Sequence, residues 1–222
     1  MPSDLRTRAI VLRRTNYGET DRILNLLTPE GKLAVLARGV RKEKSRLAGG
    51  IELFTQSDVV VHQGRTSLAT LTSARMLCFY NNILSDLSRL ELASSFLKRL
   101  DRAAEQSDNP EYFDLLEQSL TGLNRGYSSE LILTWFSFNL ARASGEQINF
   151  LCDATGADLQ PDQSYFWDIS EAALRPEPSG PISAPEIKLA RLLLSSKLST
   201  ASRVEGCEQR IAPLSAIARS LS

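Results

Sequence analysis

Between residues 38 and 46 the run Arg38-Gly-Val-Arg41-Lys42-Glu-Lys44-Ser-Arg46 sets five cations in nine positions. Cations on a flexible, glycine-bearing segment follow a phosphate backbone and displace its counterions without reading base sequence. The plain alternative is a solvated loop with no ligand, and what weighs against it is the charge around the run. Residues 1–80 hold 13 Lys and Arg against 7 Asp and Glu, a net +6, whereas residues 81–222 hold 13 against 19, a net −6. The formal zero of the 222-residue chain therefore conceals two stretches of opposite sign. A basic face on a small domain is the electrostatic footprint of a polyanion binder. Arg13, Arg14, Arg22, Lys32 and Arg65 share the basic stretch with the run.

Aromatic platforms, the other half of single-strand binding, are sparse. Tyr17, Phe54 and His62 are the only ring-bearing side chains before residue 79. Phe54 is expected in the core and Tyr17, in a polar turn, is the better stacking candidate, so affinity should be led by electrostatics and sensitive to salt. Glu19 and Asp21 flank Thr20 beside Arg22, where a solvated or cation-paired role outweighs a metal pair. Cys78, Cys152 and Cys207 are odd in number, far apart and in no C-x-x-C pair, which argues against a disulfide framework or a complete zinc site. With one histidine and no Gly-x-Gly-x-x-Gly, P-loop or serine-nucleophile motif, no catalytic constellation emerges.

The elements that must position these residues follow from periodicity. Five short β-rich segments, at 8–14, 22–27, 32–37, 57–62 and 68–74, are separated by turn chemistry such as Gly18, Thr28-Pro-Glu-Gly31 and Gln63-Gly64-Arg65. A five-stranded Greek-key barrel of the OB type closes so few strands without open edges. From Phe79 the period becomes helical. Leu87, Leu90, Ala93, Leu97, Leu100 and Ala104 predict an amphipathic helix over 86–105. Asn109-Pro110 starts a second helix, with Phe113, Leu116, Leu120 and Leu123 buried and Gly122 and Gly126 at its exit. Residues 129–144, with Leu131, Trp135, Phe138 and Leu140, form the most buried helix, in a domain whose grooves would admit a peptide with an apolar anchor. Prolines 161, 176, 178, 181 and 185 make 145–185 an irregular excursion with an extended piece at 165–169. Ser183-x-x-Glu186 opens a helix through Leu198, and a last helix begins at Ile211 or Pro213.

The expected fold class is thus mixed α+β: a five-stranded OB-fold barrel over residues 1–80, then an all-helical domain over 81–222 with its irregular insertion. About 42% apolar residues supply ample core. No apolar run approaches the roughly 20 residues of a membrane span, and the apolar run near the N-terminus is too short for a signal peptide, so a cytoplasmic protein without membrane partners is expected.

Two blocks, Tyr17-Gly-Glu-Thr-Asp-Arg22-Ile-Leu with Thr28-Pro-Glu-Gly-Lys32, and Gly39-Val-Arg41-Lys42-Glu-Lys44-Ser45-Arg46-Leu47, closely resemble the N-terminal signature of the RecO family of bacterial recombination mediators. The resemblance implies an OB domain and a helical domain, a DNA repair role in recombination without enzymatic activity, and the binding and annealing of single-stranded DNA. Implied partners are RecR and the single-stranded-DNA-binding protein SSB, with RecA recombinase loaded indirectly and the nucleoid as the place of work during repair. It also implies Arg41, Lys42, Lys44 and Arg46 as the DNA-contacting loop, supported by Arg22, Lys32 and Arg38, with Arg14 nearby. Many members hold zinc with two cysteine pairs. Here Cys152 stands at the first position of a pair and Thr155 at the second, and no cysteine lies between Ser170 and Pro181, so a metal-free version without cofactor is expected, its excursion held by Tyr165, Phe166 and Trp167. The residues leave two rivals open, an OB-fold protein-interaction module and an RNA-binding protein without annealing activity.

Overall fold

The computed structural model describes residues 3–64, 68–146 and 148–221, so the expectation for Arg65 lies outside the described residues. The chain divides into two compact units, Met1–Leu120 and Thr121–Ser222.

The first unit is built on strands β1 (Ser3–Tyr17), β2 (Asp21–Thr28), β3 (Gly31–Ala37), β4 (Thr55–Gln63) and β5 (Ala69–Phe79). They close in the order β1-β2-β3-β5-β4, a Greek-key barrel of the OB type. β1 is twice the expected length because one strand serves two partners. Its residues 3–10 pair with β4 and 10–17 with β2, so the strand must coil around the barrel to close it. β3 and β5 complete the circle in parallel at Val35/Ala69 and Leu36/Thr70. Alternation fills the interior: Val59 and Val61 point in while Asp58 points out, and Val11, Leu24, Leu26, Val35 and Leu71 complete the core. Thr28 pins the β2–β3 hairpin, its hydroxyl donating to the Gly31 carbonyl (2.9 Å) and accepting from the Glu30 N–H (3.2 Å).

The unit continues into α1 (Leu87–Gln106) and the first part of α2 (Glu111–Arg125). Asp86 caps α1, accepting from the Arg89 N–H at 3.2 Å. Its buried face is Ala93, Phe96, Leu97, Leu100 and Ala104, whereas Leu87 is 70% exposed, so the stripe begins a turn later than the leucine spacing suggested and includes an aromatic. Asn109 accepts from the Glu111 N–H at 2.9 Å and starts α2, whose Phe113, Leu116, Leu120 and Leu123 are buried.

In the second unit α3 (Ser129–Ala143) packs on α4 (Ala184–Ser195) and α6 (Cys207–Ser220), with a short α5 (Leu198–Ala201) between the latter two. Gly122 is not a helix exit. A Cβ there would approach Leu198 Cδ2 to 2.8 Å, so it is a close-packing position, and the left-handed Gly126 (φ 80°) ends α2. α4 stops at Ser195, short of Leu198. Side chains of α3 take its terminal carbonyls: Asn139 Nδ2 donates to Leu193 O (3.0 Å) and Trp135 Nε1 to Ser196 O (2.9 Å). α6 begins at Cys207 and runs through Pro213, because burial of Ile211, Leu214 and Ile217 outweighs the one backbone bond that proline forgoes.

The excursion contains a hairpin of β6 (Tyr165–Asp168) and β7 (Ala173–Pro176). Tyr165 is buried, its hydroxyl accepting from the Gln160 N–H (2.8 Å), and Trp167 stacks on Phe150 at 5.7 Å between centroids. Phe166, on the opposite face of the strand from Tyr165 and Trp167, is 36% exposed and lies outside the buried core. No helix among the described residues is long and apolar enough to cross a membrane.

Candidate nucleic-acid interface

The basic run lies in the connection from β3 to β4, which is turns apart from one 3-10 turn at Ala48–Gly50. It is anchored from below and from the side. Val40 is buried in the barrel core and Leu47 packs against the same cluster. Laterally the run docks on the β1–β2 turn. Gly39, left-handed at φ 63°, donates its N–H to Asp21 Oδ1 at 2.7 Å, and the Thr20 hydroxyl donates to the same oxygen at 3.0 Å. The Arg41 N–H donates to the Thr20 carbonyl at 2.9 Å and the Arg41 guanidinium to the Gly18 carbonyl at 3.3 Å. The Gly39 N–H, more than any other group, holds the Asp21 carboxyl below its ordinary pKa, helped by the Thr20 hydroxyl against opposing desolvation and by the charges of Arg38 and Lys42.

From this docked backbone Arg38, Arg41, Lys42, Lys44 and Arg46 all project into solvent. Among the described residues none of the five closes an ion pair. Tyr17, 56% exposed, closes the same β1–β2 turn as the cross-strand partner of Asp21. That turn is one of the loops through which OB barrels take up oligonucleotides. Phe54 is buried, in agreement with its core reading.

The remaining predicted cations sit differently. Arg22, half-buried, donates from Nε to Asn16 Oδ1 at 3.3 Å across the β1–β2 pair. Arg14 is ion-paired with Glu52. Lys32 is the most enclosed, its side chain 11% exposed and its ammonium 2.6 Å from Asp101 Oδ1, 2.9 Å from Glu105 Oε1 and 2.8 Å from the Asp101 carbonyl. Asp101 also accepts from Asn25 Nδ2 (2.9 Å) and faces Arg13 Nε at 3.6 Å. Burial pushes the Asp101 pKa up, but the Lys32 and Asn25 hydrogen bonds with the charges of Lys32 and Arg13 outweigh it and leave the carboxyl below its usual range. Arg6 and Arg75 converge on Asp58, and Arg8 lies over the Phe113 ring at 5.1 Å and pairs with Glu117. Asp21 and Asp101 hold positioning roles that the sequence pattern does not assign. The acids of α1 and α2 that pair with barrel cations stand far away in sequence, and no local pattern marks them.

The residues at the expected zinc positions do not fit a metal. The Cys152 thiol accepts from Asn149 Nδ2 at 2.7 Å. Thr155 is engaged by Asp153, whose Oδ1 accepts from the Thr155 N–H (2.8 Å), the Thr155 hydroxyl (2.7 Å) and the Ala157 N–H (3.0 Å). At the β6–β7 turn Asp168 accepts from the Ser170 N–H at 2.9 Å and from Arg175 Nε at 2.9 Å. Two carboxylates thus organise the turns where thiolates would gather around zinc, and a Thr hydroxyl is no substitute for the missing soft donor. Among the described residues no three His, Cys, Asp or Glu side chains cluster to hold a metal.

Known proteins resemble the chain along its length. Residues 1–80 match the family model "Recombination protein O N terminal" and residues 84–221 match "Recombination protein O C terminal". The chain is 36% identical over 216 residues to the "DNA repair protein RecO" of Roseiflexus sp. (strain RS-1), covering 94% of this chain and 74% of that protein. It is 32% identical over 218 residues to the protein of the same name from Dehalococcoides mccartyi (strain CBDB1), covering 92% and 83%. The counterpart in Bacillus pumilus (strain SAFR-032) is 39% identical over 131 residues, 58% of this chain and 51% of the relative.

Proposed function

This chain belongs to the RecO family of DNA repair proteins, and on that basis we propose that it is a non-enzymatic recombination mediator that binds and anneals single-stranded DNA through its 38–46 loop. The observation that carries the reading is the docking of five solvent-facing cations, Arg38, Arg41, Lys42, Lys44 and Arg46, onto the β1–β2 turn beside Tyr17. Their charge lowers the repulsion between two phosphate backbones so that complementary bases can meet, and Tyr17 offers a face for one unpaired base. Arg22 flanks this surface, whereas Lys32 and Arg14 brace the barrel through Asp101, Glu105 and Glu52. In the cell it works with RecR and SSB in the cytoplasm, at the nucleoid during repair, and helps load RecA on SSB-coated strands.

A strand-annealing assay tests the reading, run with bare complementary oligonucleotides and then with strands coated by SSB. Wild-type protein should accelerate annealing in both, and the Arg41→Glu/Lys42→Glu/Lys44→Glu variant should lose the acceleration while keeping its melting temperature. Annealing by that variant at the wild-type rate would remove the loop from the active surface.

A further inference from the structure

A carboxylate beside a phosphate-binding loop is, by charge alone, a defect. Asp21 occupies that position, and its contacts point the other way. Its Oδ1 accepts the Gly39 N–H at 2.7 Å, at a residue whose φ of 63° turns the N–H toward the β1–β2 turn. The Thr20 hydroxyl donates to the same oxygen at 3.0 Å, and the Thr20 carbonyl accepts the Arg41 N–H at 2.9 Å. Three consecutive residues of the loop, Gly39 to Arg41, are thereby fixed to the turn or, through Val40, to the core. Without the clip, a glycine-bearing basic segment would have to be ordered at the moment of binding, and that conformational entropy subtracts from affinity.

We propose that Asp21 is the positioning residue of the DNA-binding loop, whose carboxylate strengthens binding by clipping Gly39 to the β1–β2 turn more than its negative charge weakens it. The proposal rests on the reading of the loop as the DNA site. Glu19 supplies the internal control. It is a neighbouring acid two residues away, exposed, and outside the clip. Charge and position can therefore be separated by three variants. Glu19→Gln removes a charge and no anchor. Asp21→Asn removes the charge but keeps a carbonyl oxygen for the Gly39 N–H. Asp21→Ala removes both.

The experiment measures the Kd for a fluorescent single-stranded oligonucleotide, with amide exchange at Gly39 and Arg41 and melting temperature recorded on the same samples. Glu19→Gln should bind about twofold tighter, as loss of one screened repulsion predicts. Asp21→Asn should stay within about twofold of wild type, and Asp21→Ala should bind about five- to tenfold more weakly, the size expected for a partly exposed charged hydrogen bond. Exchange at both amides should accelerate in Asp21→Ala alone, with the melting temperature nearly unchanged. Asp21→Ala binding as tightly as wild type or tighter overturns the positioning part alone. Wild-type protein that ignores the oligonucleotide overturns it together with the DNA reading. Should Asp21→Ala not fold, unprotected Gly39 and Arg41 amides in the wild type overturn the proposal, and their protection with tight Asp21→Asn binding supports it.

Discussion

Lys32 and Arg41 stand nine residues apart, both in the basic stretch and both in the blocks that resemble the RecO signature, yet their surroundings are opposite. The Lys32 ammonium is enclosed by two carboxylates and a carbonyl of α1, whereas the Arg41 guanidinium touches one backbone carbonyl and otherwise faces solvent. The same contrast holds for the wall of the barrel against its loop. Arg6, Arg8, Arg13, Arg14 and Arg75 each pair with an Asp or Glu, while among the described residues none of the five loop cations closes an ion pair. Net charge counted along a chain therefore overstates the charge on offer to a ligand. Part of the +6 of residues 1–80 complements part of the −6 that follows, through Asp101, Glu105 and Glu117 of the first two helices.

If the wall cations hold the barrel and the loop cations serve phosphate, removal of a wall partner should cost stability. Asp101→Ala leaves the enclosed Lys32 ammonium with Glu105 as its one carboxylate, beside the backbone carbonyl of residue 101, and takes from Asn25 its carboxylate partner, and it should destabilise the first unit by about 2–3 kcal/mol. Chemical denaturation checks the size, and a change below roughly 0.5 kcal/mol would mean that the cluster is ornamental. Tyr17→Ala sharpens the loop side. Without that stacking face, single-strand binding should weaken by about 1 kcal/mol, roughly fivefold, while the salt slope stays untouched, because a tyrosine neutralises no phosphate. Smaller still, Glu52→Gln frees a surface-linked Arg14 and should shift stability by no more than about 0.5 kcal/mol in a melting experiment.

Acid should act on both regions with one sign. Asp21, Asp58 and Asp101 have folded pKa values below the ordinary carboxylate value, so the unfolded chain binds protons first as pH falls. Their stabilisation is complete above about pH 5 and drains as pH drops through the unfolded and then the folded values. Denaturant midpoints should be flat from neutral to about pH 5 and fall below pH 4, and Asp101→Asn should shallow that fall. A midpoint that rises on acidification would reverse the assignment.

Much of this was legible in the sequence, and the boundary of what was legible is physical. Period-two segments and turn residues are local, so five strands, an OB-type closure and the loop that carries the cations could be read directly. The double length of β1 could not, because serving two partners is a property of closure. The helix starts at Asp86, Asn109 and Ser183-x-x-Glu186 are local capping chemistry and stand where the sequence put them. The end of α4 and the passage of α6 through Pro213 depend on what α3 offers across the unit, and propensity alone misplaces both. The strand-to-helix change near residue 80 is visible in the period, but the first compact unit runs on to Leu120 because Asp101 and Glu117 reach back to the barrel. At the site the cations were visible, and the α1 partners of Lys32, 69 and 73 residues away, were not. The Asp21 clip is local in sequence on one side only. Its acceptor and its donor, Gly39, are joined by the register of β2 with β3, which brings Arg22 opposite Ala37.

The most direct test of the division between bracing and binding cations is the slope of log K for single-stranded DNA against log salt, measured on three proteins. The loop variant Arg41→Glu/Lys42→Glu/Lys44→Glu should be flatter than wild type by about two units, at about 0.7 for each phosphate no longer neutralised. The wall variant Lys32→Met/Asp101→Asn, which removes an internally neutralised pair, should keep the wild-type slope. An unchanged slope in the loop variant, or a flattened one in the wall variant, would contradict the account.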